Sequence, residues 1–129
     1  MSSTQPTPMP TVLIVDDDQS LRLLCRVNLE LEGYRVLEAR STAEAEEALA
    51  GGEVALVLLD VHVGADDGIA LMRSLRERKV PAPIVLFTGS AKLDVETRAE
   101  ADGVVPKPFR LDEMLGEVRR LAHGPTSGR

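Results

Sequence analysis

Short runs of consecutive apolar residues alternate along this chain with longer segments in which apolar residues recur every three or four positions. Unbroken apolar runs are typical of strands buried on both faces, as in a parallel sheet with helices on each side. The clearest runs are 12–15, 54–59, 84–87 and 103–106. A weaker strand is predicted over 34–38, which brings the number of predicted strands to five.

Helical periodicity fills the segments between the runs. The first helix ends at Gly33, and Ser41 followed three residues later by Glu44 is a capping-box signature that opens the second. A short fourth helix is predicted between residues 92 and 101. The residues at helical spacing, all apolar except Asn28, are Leu21, Leu24, Cys25, Asn28 and Leu31 in the first helix, Ile69, Leu71, Met72 and Leu75 in the third, and Leu111, Met114, Leu115, Val118 and Leu121 in the fifth.

Strands that alternate with helices predict an α/β fold, here a doubly wound five-stranded parallel sheet. Right-handed crossovers leave few topologies, and the flavodoxin-like order 2-1-3-4-5 is favoured. Pro106 lacks a backbone donor, so its strand is expected at a sheet edge. The fifth strand is an edge in that order.

The 129-residue chain has the size of one domain, which the pattern places at 11–122. Composition predicts a disordered leader over 1–10 and a flexible tail over 123–129, where His123 is expected to be inert. The formal net charge of −6 argues against nucleic-acid binding. No signal peptide or membrane-length apolar segment is found, which favours a cytoplasmic protein. Cys25 lies in an apolar stretch and is expected to be a buried thiol.

Reactive side chains follow four of the predicted strands. Asp16 and Asp17 follow the first strand, Asp60 the third, Thr88 the fourth and Lys107 the fifth. Since binding sites of such sheets lie at the carboxyl ends of the strands, these residues are expected to converge. Three carboxylates in one cleft repel one another unless a cation intervenes, and their hard oxygen atoms suit Mg²⁺. The pattern therefore points to metal and phosphoryl chemistry.

Apart from Asp60, these residues also have a purely structural interpretation. Asp side chains before a helix often cap it, and Asp18 is assigned to that role while Asp16 and Asp17 are assigned to the metal. Lys107 could be an ordinary surface lysine. Thr88 could be an ordinary β-branched strand residue. The combination of all of them in this order favours the functional interpretation.

Taken together, these motifs resemble the receiver domain of two-component response regulators over about residues 11–122. The resemblance implies that Asp60 accepts a phosphoryl group, as an acyl phosphate, from a histidine kinase or histidine phosphotransfer protein. It implies that Lys107 and Thr88 contact that group. In this family the peptide bond between the lysine and the following proline, here Pro108, is often cis.

The resemblance also assigns the metal ligands and neighbouring positions. It implies that Asp17 binds Mg²⁺ directly, that Asp16 holds it through water, and that Asp60 and the backbone carbonyl of His62 complete the protein ligands. The side chains of His62 and Ser90 are expected to set the lifetime of the phosphate. Residues 66–68 resemble the family's turn into the third helix, with Asp67 as the expected cap.

Two positions and one spacing depart from the family pattern. Gly64 replaces a common proline, which predicts a more mobile loop. Only 19 positions separate Thr88 from Lys107, so the fourth helix is expected to be short. Val104 occupies the position of the usual switch aromatic, so a rotating ring cannot report the state of the pocket. The fourth helix, fifth strand and fifth helix are the family's usual output face.

The resulting hypothesis is a stand-alone receiver that signals through a downstream protein and catalyses only its own phosphorylation and dephosphorylation. One alternative is an interaction module that works without phosphorylation, which the missing aromatic favours. A less favoured alternative is a phosphohydrolase with an aspartyl nucleophile. Such enzymes carry an acid two residues after the nucleophile, where this chain has His62. No Gly-rich phosphate loop supports a nucleotide or flavin site.

Overall fold

One parallel sheet carries the fold in the computed structural model, which describes residues 9–89 and 93–123. Its strands are β1 Thr11–Val15, β2 Arg35–Ala39, β3 Leu56–Asp60, β4 Ile84–Thr88 and β5 Gly103–Pro106. The helices are α1 Gln19–Leu31, α2 Thr42–Ala50, α3 Gly68–Glu77, α4 Val95–Glu100 and α5 Leu111–Leu121. A small antiparallel hairpin, His62–Val63 with Asp66–Asp67, lies between β3 and α3.

The strand order of the sheet is β2-β1-β3-β4-β5, with every neighbouring pair parallel. This confirms the predicted flavodoxin-like order 2-1-3-4-5. Pro106 lies in the edge strand β5 opposite Thr88, as expected for a residue without a ladder donor. The predicted short fourth helix is also confirmed, since α4 has six residues.

The core has two layers because successive strand residues point to opposite faces of the sheet. In β1, Leu13 and Val15 pack on the side of α2 and α3, and Val12 and Ile14 pack on the side of α1 and α5. Cys25 is buried in the second layer, as predicted. Burial there raises the pKa of its thiol to about 12. Within the described residues, no helix is long and apolar enough to cross a bilayer.

Side chains close the starts of several helices. Asp18 accepts hydrogen bonds from two N–H groups of α1, and Asp67 does the same for α3, so both predicted caps are confirmed. Only half of the predicted capping box forms at α2. The hydroxyl of Ser41 accepts from the N–H of Glu44, but the Glu44 carboxylate accepts from the N–H and guanidinium of Arg40 instead.

The residues predicted at helical spacing in α1 do not all lie on its buried side. Leu24 and Leu31 are exposed, by 48% and 80%, whereas Cys25 and Leu29 form the buried side. The sequence contains two overlapping apolar stripes, and the helix turns one of them to solvent. An exposed aliphatic surface therefore runs along α1.

The ends of the folded region also differ from the prediction. The carbonyl of Pro10, predicted in the leader, accepts from the N–H of Arg35 at 3.0 Å and so extends the pairing of β1 and β2. His123, predicted in the flexible tail, lies against Tyr34, with 2.9 Å between its Nε2 and the phenolic oxygen. The rest of the predicted leader and tail, residues 1–8 and 124–129, lies outside the described residues.

Candidate functional site

Three carboxylates meet at the carboxyl ends of two neighbouring strands. Asp16 directly follows β1, Asp17 comes next, and Asp60 ends β3. One oxygen from each lies within 4.8 Å of the other two. Asp16 and Asp60 are buried, while Asp17 is exposed and leaves the cluster open on one side. A compact set of hard oxygen donors with an open side fits Mg²⁺, which keeps several of its waters.

Lys107 places a cation between two of these acids. Its Nζ lies 3.0 Å from Oδ2 of Asp16 and 3.1 Å from Oδ2 of Asp60. The backbone N–H of Lys107 donates to the carbonyl of Thr88 at 2.7 Å, which fixes the turn after β5. Burial, the largest single effect, lowers the pKa of Lys107, but the hydrogen bonds and charges of the two acids outweigh it and the net shift is upward. The side chain is therefore a fixed ammonium ion.

Asp60 is electrostatically strained as a carboxylate. Burial raises its pKa most, and the charge of Asp16 raises it further. Lys107 and the N–H of His62, which donates to Oδ1 at 3.3 Å, oppose this shift without cancelling it. An added cation beside Asp60 would relieve the remaining repulsion.

Asp16 is held by its backbone as well as by its side chain. Its N–H donates to the carbonyl of Ala39 on β2, and its Oδ1 accepts from the N–H of Asp18 at 2.9 Å. Its own carbonyl accepts from Nη1 of Arg22 at 2.7 Å. This arginine was not predicted from the sequence, because nothing in its local pattern shows the contact.

Gly68 brings the start of α3 against the backbone of Asp60. Its N–H donates to the carbonyl of Val61 at 2.8 Å. A Cβ atom at position 68 would overlap the carbonyl oxygen of Asp60. Glycine is therefore required here by close approach of the two backbones. The only sequence signal was its place after Asp67 in the turn into α3.

The hairpin after Asp60 explains the missing proline. Gly64 forms its tip with a φ of +62°, a conformation that proline cannot adopt. A Cβ at this position would lie 3.9 Å from the Cβ of Asp17, so the tip borders the acidic cluster. Asp66 anchors the hairpin by accepting from both the N–H and the hydroxyl of Thr42. The loop is a hydrogen-bonded structure rather than an open coil.

Among the described residues, the others singled out from the sequence lie around the three carboxylates or farther from them. Thr88 is buried at the end of β4, beside β3. The side chain of His62 is exposed, and its backbone lies in the hairpin. Val104 is half-buried and packs on the α2 and α3 side of the sheet. Ser90 lies outside the described residues. The peptide bond between Lys107 and Pro108 is cis.

Comparison with known families identifies the domain. The sequence model of the response regulator receiver domain matches residues 12–119. The chain belongs to this receiver family. Receiver domains carry a phosphorylatable aspartate, bind Mg²⁺ at this acidic pocket, and interact with histidine kinases or phosphotransfer proteins.

Individual relatives agree with this assignment. Protein PetR of Rhodobacter capsulatus is 38% identical over 126 residues, which cover 92% of this chain and 53% of PetR. The receiver domain of the TMAO respiratory system response regulator TorR has a TM-score of 0.79 and 32% identity, covering 86% of this chain and 94% of that one. TrrA from Thermotoga maritima, solved in complex with Mg²⁺-BeF, has a TM-score of 0.78 and 31% identity, covering 87% and 98%. This chain spans about half the length of curated relatives such as PetR and the mycobacterial regulator MprA.

Proposed function

We propose that this receiver accepts a phosphoryl group on Asp60 from a phosphohistidine of a histidine kinase or phosphotransfer protein and signals through protein contacts. The main support is the position of Asp60, which lies between the ammonium group of Lys107 and two further carboxylates. An oxygen of Asp60 forms a bond to phosphorus as the bond from phosphorus to the imidazole nitrogen breaks. The histidine leaves with the electron pair and takes up a proton, and the product is an acyl phosphate.

Mg²⁺ is the proposed resident ion. Asp17, Asp16, Asp60 and the backbone carbonyl of His62 would hold it. When bound, it supplies positive charge that lets an anionic carboxylate approach an anionic phosphoryl donor. Lys107 then has a separate task, which is to stabilise the charge of the transferred group. The hydroxyl of Thr88 donates a hydrogen bond to an oxygen of that group.

A protein is the proposed donor, and the surface beside the pocket supports this. α1 is capped by Asp18, next to the acidic cluster, and carries exposed aliphatic side chains along its outer side. These are Leu23, Leu24, Val27 and Leu31. An apolar surface of this kind next to the reacting group suits a macromolecular donor better than a small phosphate ester.

The proposed output is a protein contact at the face formed by α4, β5 and α5. Val104 cannot act as a rotating aromatic switch, so the pocket must reach this face in another way. Polar contacts join α4 to α3. The first residue of α3, Gly68, lies against the backbone of Asp60. Nε of Arg73 pairs with Glu100 at 2.8 Å, and Nη2 of Arg73 donates to Thr97 at 3.1 Å.

An interaction module that is not switched by phosphorylation is the second candidate, favoured by Val104 and by the six-residue α4. A phosphohydrolase is disfavoured by His62, and we expect no turnover of phosphomonoesters beyond the domain's own phosphate. Curated relatives such as PetR and MprA are about twice as long as this chain. That this receiver acts without an attached effector domain therefore stays a prediction. A cytoplasmic location and the lack of nucleic-acid binding also stay predictions.

The two candidates differ in their response to a stable phosphoryl mimic. Backbone amide shifts would be recorded by NMR before and after adding Mg²⁺ with beryllofluoride, on wild type, Asp60→Asn and Asp67→Asn. Asp67→Asn is the matched control, since asparagine also caps a helix. Shifts at Asp60 and across α4 to α5 in wild type and Asp67→Asn, absent in Asp60→Asn, support the proposal. Shifts confined to the pocket favour the unswitched module, and no shift in the pocket overturns the receiver chemistry.

A further inference from the structure

Arg22 joins the acidic cluster to the edge of the sheet. Its Nη1 donates to the carbonyl of Asp16 at 2.7 Å, and its Nε pairs with Oε1 of Glu38 on β2 at 2.9 Å. The side chain is 13% exposed, against 48% for Arg26 one turn further along α1. Two donors of one planar guanidinium are thus directed at two fixed acceptors, a geometry that lysine does not reproduce.

The carbonyl that Arg22 binds belongs to the peptide between the two acids of the cluster. Rotation of this peptide would turn the side chains of Asp16 and Asp17 relative to each other. The N–H of Asp16 is bound to Ala39 on the other side. With Arg22 on the carbonyl, the backbone of Asp16 is held at both of its polar groups. The orientation of the peptide is then fixed before any ligand arrives.

Glu38 aligns Arg22 and balances its charge. Burial is the largest single effect on the pKa of Glu38 and raises it, but hydrogen bonds from Arg26 and Arg22 together outweigh burial and lower the pKa. Glu38 therefore stays ionised as the partner of Arg22. Arg26 also binds Glu38, at 2.9 Å, but its other contact is Glu30 and not the acidic cluster.

We propose that Arg22 is a positioning residue of the metal site, which orients the Asp16–Asp17 peptide so that both carboxylates face the cation. This role rests on the proposed function, because it concerns the same pocket. It predicts a weaker affinity for Mg²⁺ when Arg22 is replaced. A purely electrostatic role predicts the opposite sign, since removal of a positive charge near a cation site strengthens cation binding.

Arg26 supplies the matched control. Mg²⁺ would be titrated by calorimetry into wild type, Arg22→Met and Arg26→Met, each first shown to be folded by urea unfolding without metal. Arg22→Met is expected to raise the Kd for Mg²⁺ about tenfold, as for loss of other groups that orient metal ligands. Arg26→Met also removes a positive charge that pairs with Glu38, but it leaves the Asp16 carbonyl bound. It should leave the Kd for Mg²⁺ unchanged or slightly lower.

Arg22→Lys separates geometry from charge and keeps the test valid if Arg22→Met folds poorly. It keeps the positive charge but lacks the planar fork, so the Kd should rise severalfold. Equal Kd values for wild type, Arg22→Lys and Arg22→Met, or tighter binding by Arg22→Met, would overturn the positioning role. Wild type that binds no Mg²⁺ would instead overturn the proposed function, so the two failures are distinguishable.

Discussion

The ammonium nitrogen of Lys107 lies 3.1 Å from Oδ2 of Asp60. The same nitrogen lies 3.0 Å from Oδ2 of Asp16. One cation therefore stands between two buried carboxylates that would otherwise repel each other. This contact joins the end of β5 to the ends of β1 and β3, so the lysine contributes to the stability of the pocket.

Replacing Lys107 by glutamine should destabilise the protein when no Mg²⁺ is present. Asp16 and Asp60 would face each other without a cation, and the lost hydrogen bonds to charged groups are each worth about 2 kcal/mol. Urea unfolding at pH 7 should show a fall of about 2 kcal/mol or more in the free energy of unfolding. Lys79→Gln, at an exposed position, should change it by less than about 0.5 kcal/mol. Equal stability of the two variants would contradict the structural role of Lys107.

Asp60→Asn should make the protein more stable at neutral pH in the absence of Mg²⁺. The pKa of Asp60 is raised by burial and by Asp16, so the folded state binds this proton more tightly than the unfolded state does. Stability is therefore lost as the pH rises from the usual Asp value of 3.8 through the raised folded pKa. Asparagine removes this loss.

Urea unfolding across pH checks this sign. The advantage of Asp60→Asn should be present at pH 7 and vanish below the usual Asp pKa. Asp112→Asn is the control, because a hydrogen bond from Arg110 lowers the pKa of its exposed carboxyl. This substitution should therefore change the stability at pH 7 in the opposite direction, towards a loss. A variant Asp60→Asn that is less stable than wild type at pH 7 would contradict the account of a strained carboxylate.

Gly68→Ala should lower the stability of the protein and disturb Asp60, the proposed phosphoacceptor. The new methyl group would overlap the carbonyl oxygen of Asp60, so the backbone there must move. Such overpacking costs about 1 to 3 kcal/mol. Gly116→Ala is the matched control, since a Cβ there would meet no atom within 4 Å apart from its chain neighbours and the adjoining backbone of α5. It should instead stabilise the protein by about 0.5 to 1 kcal/mol.

Thermal unfolding and the rate of phosphorylation by acetyl phosphate would be measured on both glycine variants. Gly68→Ala should lose stability and react more slowly, while Gly116→Ala should gain stability and react at the wild-type rate. A Gly68→Ala variant with normal stability and rate would show that α3 and Asp60 are less tightly joined than the structure indicates.

Gly64→Pro, which restores the residue usual in the family, should be harmful in this chain. Proline requires a negative φ, whereas Gly64 has a φ of +62° at the tip of the hairpin. We expect a loss of about 2 kcal/mol in the free energy of unfolding, typical of an incompatible backbone conformation. Gly64→Asn should lose less, because asparagine tolerates positive φ. Equal losses for the two variants would argue against the observed hairpin.

The strands and the acidic cluster could be predicted because their signals are local. An unbroken run such as 84–87 indicates a doubly buried strand, and the position of Asp60 after such a run places it at the binding edge of the sheet. The buried side of α1 could not be predicted, since Leu24 and Leu31 belong to a second apolar stripe that overlaps the buried one in the sequence. Periodicity shows that a helix is amphipathic without showing which of two stripes it buries.

Long-range contacts account for the other residues that the sequence did not reveal. Arg22 binds a carbonyl six residues earlier and a carboxylate sixteen residues later, and neither contact leaves a periodic signal. His123 contacts Tyr34, which is 89 positions away. Composition alone placed His123 in a tail, because a helix stop and a following Gly-Pro pair look the same whether or not the last turn packs on the sheet.

We infer that Asp60 is the phosphoacceptor of a pocket that needs Mg²⁺. Intact-mass spectrometry after incubation with acetyl phosphate tests it most directly, on wild type and Asp60→Asn, with and without Mg²⁺. We expect a gain of one phosphoryl group in wild type that requires Mg²⁺ and is absent in Asp60→Asn. An equal gain in Asp60→Asn, or a gain in wild type that does not depend on Mg²⁺, would contradict it.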